Sequence, residues 1–149
     1  MTIDEEIQGH FRNAFHRGLI NLVYTSRSLN YSFLQCLKEH GLTEPQYNVL
    51  RILRGFRKEA PLSIGFIKER MLDKDSDVSR LVDRLFEKGY VSRVENPTDR
   101  RQKAVAITEA GLQLLSEMLG CERRVDSMLS NLSLEEVTEL NRLLDKIRG

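Results

Sequence analysis

Arg80 and Arg84 stand about one helical turn apart in Ser79-Arg80-Leu81-Val82-Asp83-Arg84-Leu85, and a second basic group, Arg93, Arg100, Arg101 and Lys103, surrounds Asn96-Pro97-Thr98-Asp99. Guanidinium groups in such a pattern can fork onto guanine O6 and N7 or neutralise phosphates. Ser76, Asp77, Ser79 and Arg80 would point from the N-terminal half of a helix, where base edges are reached, and Arg80 is the side chain suited to guanine. Arg84, one turn later, is placed for a phosphate, while Asp77 could accept from cytosine N4. Arg93 and Lys103 would flank a nucleic-acid backbone. Asp99 would be repelled by phosphates and is expected instead to pin an arginine or cap the turn. One of Arg100 and Arg101 can then be held by Asp99 or Asp83, leaving the other for a narrow minor groove.

The elements that must position these side chains follow from periodicity. Val78, Leu81, Val82 and Leu85 recur at i, i+3, i+4 and i+7 and predict a helix near Ser76 to Lys88, stopped by Gly89. Tyr90 to Val94 alternates as a half-buried strand, Asn96-Pro97 turns the chain, and Lys103 to Ile107 can return as an antiparallel partner. Ahead of this unit, Ser63 can cap a short helix carrying Ile64, Ile67 and Met71, and Thr43-Glu44-Pro45-Gln46 opens another carrying Tyr47, Leu50 and Leu53. The pattern is a winged helix-turn-helix over residues 43–108.

Long helical stripes bracket that unit. Ile7, Phe11, Phe15, Leu22, Leu29, Phe33 and Leu37 predict one helix closed by Gly41. Leu112, Leu115, Leu119, Val125 and Leu129 predict a second, capped by Thr108. Ser133-Leu134-Glu135-Glu136 opens a last helix with Val137, Leu140, Leu144 and Ile147. The expected fold is mainly α with a small β-wing, a single domain in which 1–40 and 109–149 form a helical dimerisation region. A symmetric dimer would bury the outer stripes and present two winged units to half-sites about one helical turn of DNA apart.

Composition narrows the classes. The 149 residues hold 23 Lys+Arg against 22 Asp+Glu, so any affinity for a polyanion must come from local placement of charge. No apolar run reaches the ~18 residues of a membrane span, and the acidic N-terminus has no apolar leader, so a soluble, cytoplasmic protein is expected. There is no Gly-rich phosphate loop, no G-x-S-x-G and no metal-spaced His/Cys cluster, which leaves an enzyme, a metal site and a cofactor without support. His10, His16 and His40 are scattered. Cys36 and Cys121 lie far apart and are expected as reduced, buried thiols.

The order of elements, with Ser79-Arg80-Leu81-Val82-Asp83-Arg84-Leu85, Lys88-Gly89-Tyr90-Val91, Asn96-Pro97-Thr98-Asp99-Arg100-Arg101 and Ile107-Thr108-Glu109-Ala110-Gly111, resembles the MarR family of bacterial transcriptional regulators over essentially the whole chain. The resemblance implies a homodimer on a pseudo-palindromic operator in double-stranded DNA, usually a repressor, released by a small, often phenolic, molecule or by thiol oxidation. It would put such a ligand between the dimer helices and the winged unit, where Phe15, Leu19, Tyr24, Tyr31, Tyr47 and Leu112 are candidates, although their helical spacing also suits core positions. The chain departs from the family at Asp73-Lys74-Asp75-Ser76-Asp77, where a small hydroxyl cap and neutral or basic residues are usual. Asp73 or Asp75 is expected to cap the helix. From Asp75 to Lys88, three cations against four carboxylates leave a net charge of −1, so a shallow salt dependence is expected. Two other readings stand beside this one: a winged-helix protein-interaction module with weak DNA binding, suggested by the acidic stretch and Phe66, and a thiol-based redox regulator using Cys36 or Cys121.

Overall fold

Thr43, Ser63, Asp77, Thr108 and Ser133 each start a helix in the same way. A side-chain oxygen accepts the backbone amide three residues on, at Gln46, Phe66, Arg80, Gly111 and Glu136 respectively, satisfying a donor the helix itself leaves open. These caps divide the chain in a computed structural model that describes residues 1–95 and 103–149. The helices are α1 (Ile3–Ile7), α2 (Ala14–Glu39), α3 (Glu44–Gly55), α4 (Ile64–Arg70), α5 (Val78–Glu87), α6 (Glu109–Glu117), α7 (Leu119–Ser127) and α8 (Leu134–Arg148). The strands are β1 (Leu62–Ser63), β2 (Val91–Glu95) and β3 (Lys103–Ile107). They form one antiparallel sheet in the order β1-β3-β2, with Val91 opposite Ile107 and Arg93 opposite Val105. The helix-turn-helix with a wing is as the sequence predicts. The short β1, with Leu62 opposite Val105, is an addition to it.

The described residues cluster into two units, Cys36–Arg123 and Met1–Gln35 with Arg124–Gly149. The first has a closed apolar core. Leu50 and Leu53 of α3, Ile67 of α4, Val82 and Leu85 of α5, Val105 of β3 and Leu115 of α6 are all essentially inaccessible. In the second unit Ile3 is the only buried hydrophobic residue among those described, and α8 buries none. Its hydrogen bonds are on the surface: Arg17 bonds Asp4 and the Tyr24 hydroxyl donates to Glu6, tying α1 to α2.

Several sequence expectations are corrected here. The first long helix is two, because Gln8 adopts a left-handed conformation (φ 49°) that closes α1. Asn13 then accepts the His16 amide at the start of α2, and Phe11 lies outside both helices. The helix from Thr108 also breaks, at Met118, into α6 and α7. The thiols expected to be reduced are paired: Cys36 and Cys121 form a disulfide with their Cα atoms 6.0 Å apart, within the range such a bond spans. His40 stands beside it, its Nδ1 4.0 Å from Cys121 Sγ and 3.0 Å from the Cys36 carbonyl oxygen.

Gly111 explains why the Thr-Glu-Ala-Gly segment has its composition. A Cβ at this position would collide with the Tyr90 carbonyl oxygen and come within 2.7 Å of Ile107 Cγ1. The Thr108 hydroxyl donates to the Gly89 carbonyl at 2.7 Å, and the Thr108 amide donates to the Tyr90 carbonyl at 3.1 Å. Gly89 itself takes a positive φ of 81° to end α5. The start of α6 is thereby locked onto the turn between α5 and β2, which fixes α5 relative to the wing strands.

Candidate nucleic-acid interface

Helix α5 buries Val78, Val82 and Leu85 and turns Ser79, Arg80 and Arg84 to solvent. This division follows from the apolar period, since residues at i+1 and i+2 from a buried position fall on the opposite face. The helix begins at Val78, so Ser76 precedes it. Its cap is Asp77, not Asp73 or Asp75: Asp77 Oδ1 accepts the Arg80 amide at 3.2 Å, and Asp73 Oδ1 closes the preceding turn on the Asp75 amide at 2.9 Å. Both carboxylates thus have a local structural use, and that of Asp77 also complements the positive end of the helix dipole. Ser76 Oγ is buried and has no hydrogen-bond partner among the described residues.

These residues border an open cleft of about 350 Å³ between the first turn of α3 and the N-terminal half of α5, with Gln46, Asp73, Ser76, Asp77, Arg80 and Arg84 on its lining. Gln46 is held there by the reciprocal cap with Thr43, its Oε1 accepting the Thr43 amide at 3.1 Å. Among the described residues neither Arg80 nor Arg84 has an ion-pair partner. Lys88 is engaged elsewhere, donating to the Gly41 carbonyl at 2.8 Å.

Arg93 departs from the role expected at the sequence level. Its guanidinium is bonded to Asp83 and stacks over the Phe86 ring, 4.0 Å from the centroid, and Lys103 Nζ lies 3.9 Å from the same carboxylate. A guanidinium bonded at its edge and stacked on one face in this way ties β2 to α5 rather than standing free beside a backbone. Sequence reasoning offered Asp83 an arginine of the turn and missed Arg93, although strand alternation puts Arg93 on the same face as the buried Val91, paired across the sheet with the buried Val105. Asp99, Arg100 and Arg101 lie outside the described residues.

The six aromatic and apolar ligand candidates fall in both units. Phe15, Leu19, Tyr24 and Tyr31 are exposed in the first-and-last-segment unit, Phe15 by 88%, so they are not core within this chain. Tyr47 is buried in the winged unit and Leu112 is half-buried. The Tyr47 hydroxyl donates to Glu122 Oε1 at 3.0 Å, and Arg54 donates to the same oxygen at 2.9 Å. Burial, and then the carboxylate it bonds, push the Tyr47 phenol up to about 12. Phe66, read from sequence as an exposed contact, is half-buried instead. It packs edge-on to Phe56 at 5.1 Å, with the Arg70 guanidinium 3.4 Å over its ring.

Among the described residues no His, Cys, Asp and Glu cluster could hold a metal, and no helix is long and apolar enough to cross a membrane.

Comparison with known proteins agrees with this geometry. A profile of the MarR family matches residues 40–102, which run from just after α2 to beyond β2. The HTH-type transcriptional regulator MhqR of Bacillus subtilis is 31% identical over 122 residues, 81% of this chain and 82% of that protein. Among solved structures, the Staphylococcus aureus MepR–DNA complex superposes with a TM-score of 0.75 at 22% identity, covering 93% of this chain and 97% of the other. Bordetella bronchiseptica BpsR, solved in a study of how 6-hydroxynicotinic acid regulates its DNA binding, gives 0.72 at 22%, covering 86% and 96%. With the winged unit, the capped α5 and a relative matched along most of both chains, this chain belongs to the MarR family of transcriptional regulators.

Proposed function

We propose that the protein is a homodimeric DNA-binding regulator that acts in the cytoplasm as a repressor, gripping a pseudo-palindromic operator through α5 and the wing. The observation that carries this reading is the exposed face of α5. Two guanidinium groups without ion-pair partners among the described residues stand on a helix whose opposite face is locked into the core. In the major groove, Arg80 takes a guanine, Ser79 lies beside it and Arg84 takes a phosphate. Asp83 and Arg93 hold the wing strands to the helix, with Lys103 beside them. Of Arg100 and Arg101, which lie beyond the described residues, one is held by Asp99 or Asp83 and the other enters a narrow minor groove.

The exposed Phe15, Leu19, Tyr24 and Tyr31, with the apolar residues of α8, form the contact with a second copy, and a small hydroxylated aromatic molecule relieves repression there. BpsR, whose DNA binding is regulated by 6-hydroxynicotinic acid, supports an effector of that chemistry.

The test is selection of duplexes from a random pool by the purified protein, followed by titration of the winners at several salt concentrations. An enriched inverted repeat, bound at least tenfold more weakly by Arg80→Ala, is the expected result. The expected log-log salt slope is shallower than that of a protein making ~6–10 phosphate contacts. Failure to enrich any duplex at low salt would refute the reading.

A second reading is favoured by the Cys36–Cys121 bond. The two thiols, losing two electrons and two protons to a hydroperoxide that leaves as alcohol and water, would change operator affinity. Peroxide-sensitive binding that is lost in the Cys36→Ser/Cys121→Ser double variant would support it, and unchanged sensitivity would exclude it.

A further inference from the structure

Asp77, the carboxylate at the leading end of α5, carries a charge that opposes DNA. Asp77 is exposed, with Oδ1 committed to the Arg80 amide at 3.2 Å, while Oδ2 has no partner among the described residues. One hydrogen bond thus fixes the carboxylate to the backbone of Arg80, and both side chains line the same cleft. The cleft also holds the buried Ser76 Oγ, which has no hydrogen-bond partner among the described residues.

An ionised carboxylate accepts hydrogen bonds and donates none. In the major groove, guanine presents the acceptors N7 and O6 and thymine presents O4, each of which repels it. Cytosine presents a donor, N4, with no acceptor beside it, and adenine presents N6 next to the acceptor N7. An Asp at this position therefore selects by exclusion as much as by attraction. Its repulsion from phosphates is partly offset by the dipole of the helix it caps.

Resting on the reading of α5 as the DNA-reading helix, we propose that Asp77 is a specificity-determining residue that reads a cytosine in each half-site. Its Oδ2 accepts from the N4 amino group, beside the guanine read by Arg80.

The experiment compares selections from a random duplex pool by the wild-type protein, Asp77→Asn and Asp77→Ser, followed by titration of matched duplexes that differ at one base pair. Both substitutes keep a good helix cap, and the thermal midpoint of each variant confirms that α5 is formed. The wild type enriches cytosine at one position of each half-site. Asn, whose Oδ1 keeps the cap and whose Nδ2 donates where Oδ2 accepted, moves that preference from cytosine to a base with an acceptor there, guanine or thymine, and reverses the affinity ratio of the two duplexes by about tenfold or more. Ser flattens it. The guanine preference lost in Arg80→Ala stays in place in both Asp77 variants.

If both Asp77 variants bind every duplex more tightly by the same factor with base preferences unchanged, Asp77 is a cap only and the inference is overturned, while the operator reading survives. If the wild type enriches no duplex, the operator reading falls and this inference falls with it.

Discussion

Helices α3 and α8 are both amphipathic and both begin with a reciprocal cap, yet α3 buries Tyr47, Val49, Leu50, Ile52 and Leu53 while α8 buries nothing. The same contrast separates the two units to which they belong. The winged unit satisfies its apolar residues within one chain and closes its polar ends with local hydrogen bonds. The unit of first and last segments leaves Phe15, Leu134 and Ile147 exposed by 88%, 78% and 70%. Apolar area of that kind on separate helices is stable in water only when covered. The difference teaches a division of labour: one unit closes an apolar core of its own, and the other leaves its apolar residues exposed, the surface that the proposed dimer would cover.

Substitutions in the two units should break this contrast or sharpen it. The largest effect is expected in the winged core, where Leu50→Ala should cost about 2–5 kcal/mol from lost transfer energy and an unfilled cavity. That loss, read by denaturant unfolding, should be the same at every protein concentration. In the proposed dimer Phe15→Ala should behave differently, lowering the midpoint in a way that depends on protein concentration, because its contacts would be made only in the associated state. Equal concentration dependence for the two variants would erase the distinction.

Removing the disulfide in the Cys36→Ser/Cys121→Ser double variant should cost about 2–4 kcal/mol under non-reducing conditions. Little change is expected relative to wild type in strong reductant. The bond closes a loop of 85 residues in sequence separation and lies within the winged unit, so its loss loosens that unit. A wild-type protein whose stability does not respond to reductant would contradict the pairing.

Gly111→Ala should cost about 1–3 kcal/mol, because the added methyl must push the Tyr90 carbonyl or Ile107 aside. Since Gly111 packs α6 against the turn that follows α5, operator affinity should fall as well. Gly18→Ala, at a position with open space around it, should leave stability unchanged or slightly raise it.

The smallest effect is tied to Tyr47. Its phenol is raised in the folded protein from the usual value of about 10 to about 12, chiefly by burial and then by Glu122. A raised pKa contributes stability that is fully present below the unfolded value and is lost as pH climbs through the folded one. Unfolding measured from about pH 9 to 12 should show this loss above pH 10, and Tyr47→Phe should lack it. An identical pH profile in the two proteins would remove Tyr47 from the account.

Much of the winged unit was legible because its signals are local. Thr43-Glu44-Pro45-Gln46, Ser63 and Thr108 sit where the hydrogen bonds place them, and the alternation of Tyr90 to Val94 gives β2. The cap of α5 was misplaced for a physical reason. Asp73, Asp75 and Asp77 are equally able to cap, and only the hydrogen bonds separate them. The break after α1 had a signal that periodicity overrode: Thr2 and Glu5 form a capping box too close to Gly9 for a long helix, and Asn13 is a fresh cap. The split at Met118 has only the nearby Gly120 to announce it. The pairing of Cys36 with Cys121 and the attachment of Arg93 to Asp83 depend on tertiary approach, to which spacing along the chain gives no access.

Sedimentation equilibrium of the purified protein over a range of concentrations tests the central claim most directly. The account predicts a mass of twice 17.3 kDa, moving toward a single chain when Phe15 and Ile147 are both replaced by aspartate, with the helical signal of the winged unit retained. A wild-type protein that stays at one chain mass at micromolar concentration, with its terminal helices fully formed, would contradict it.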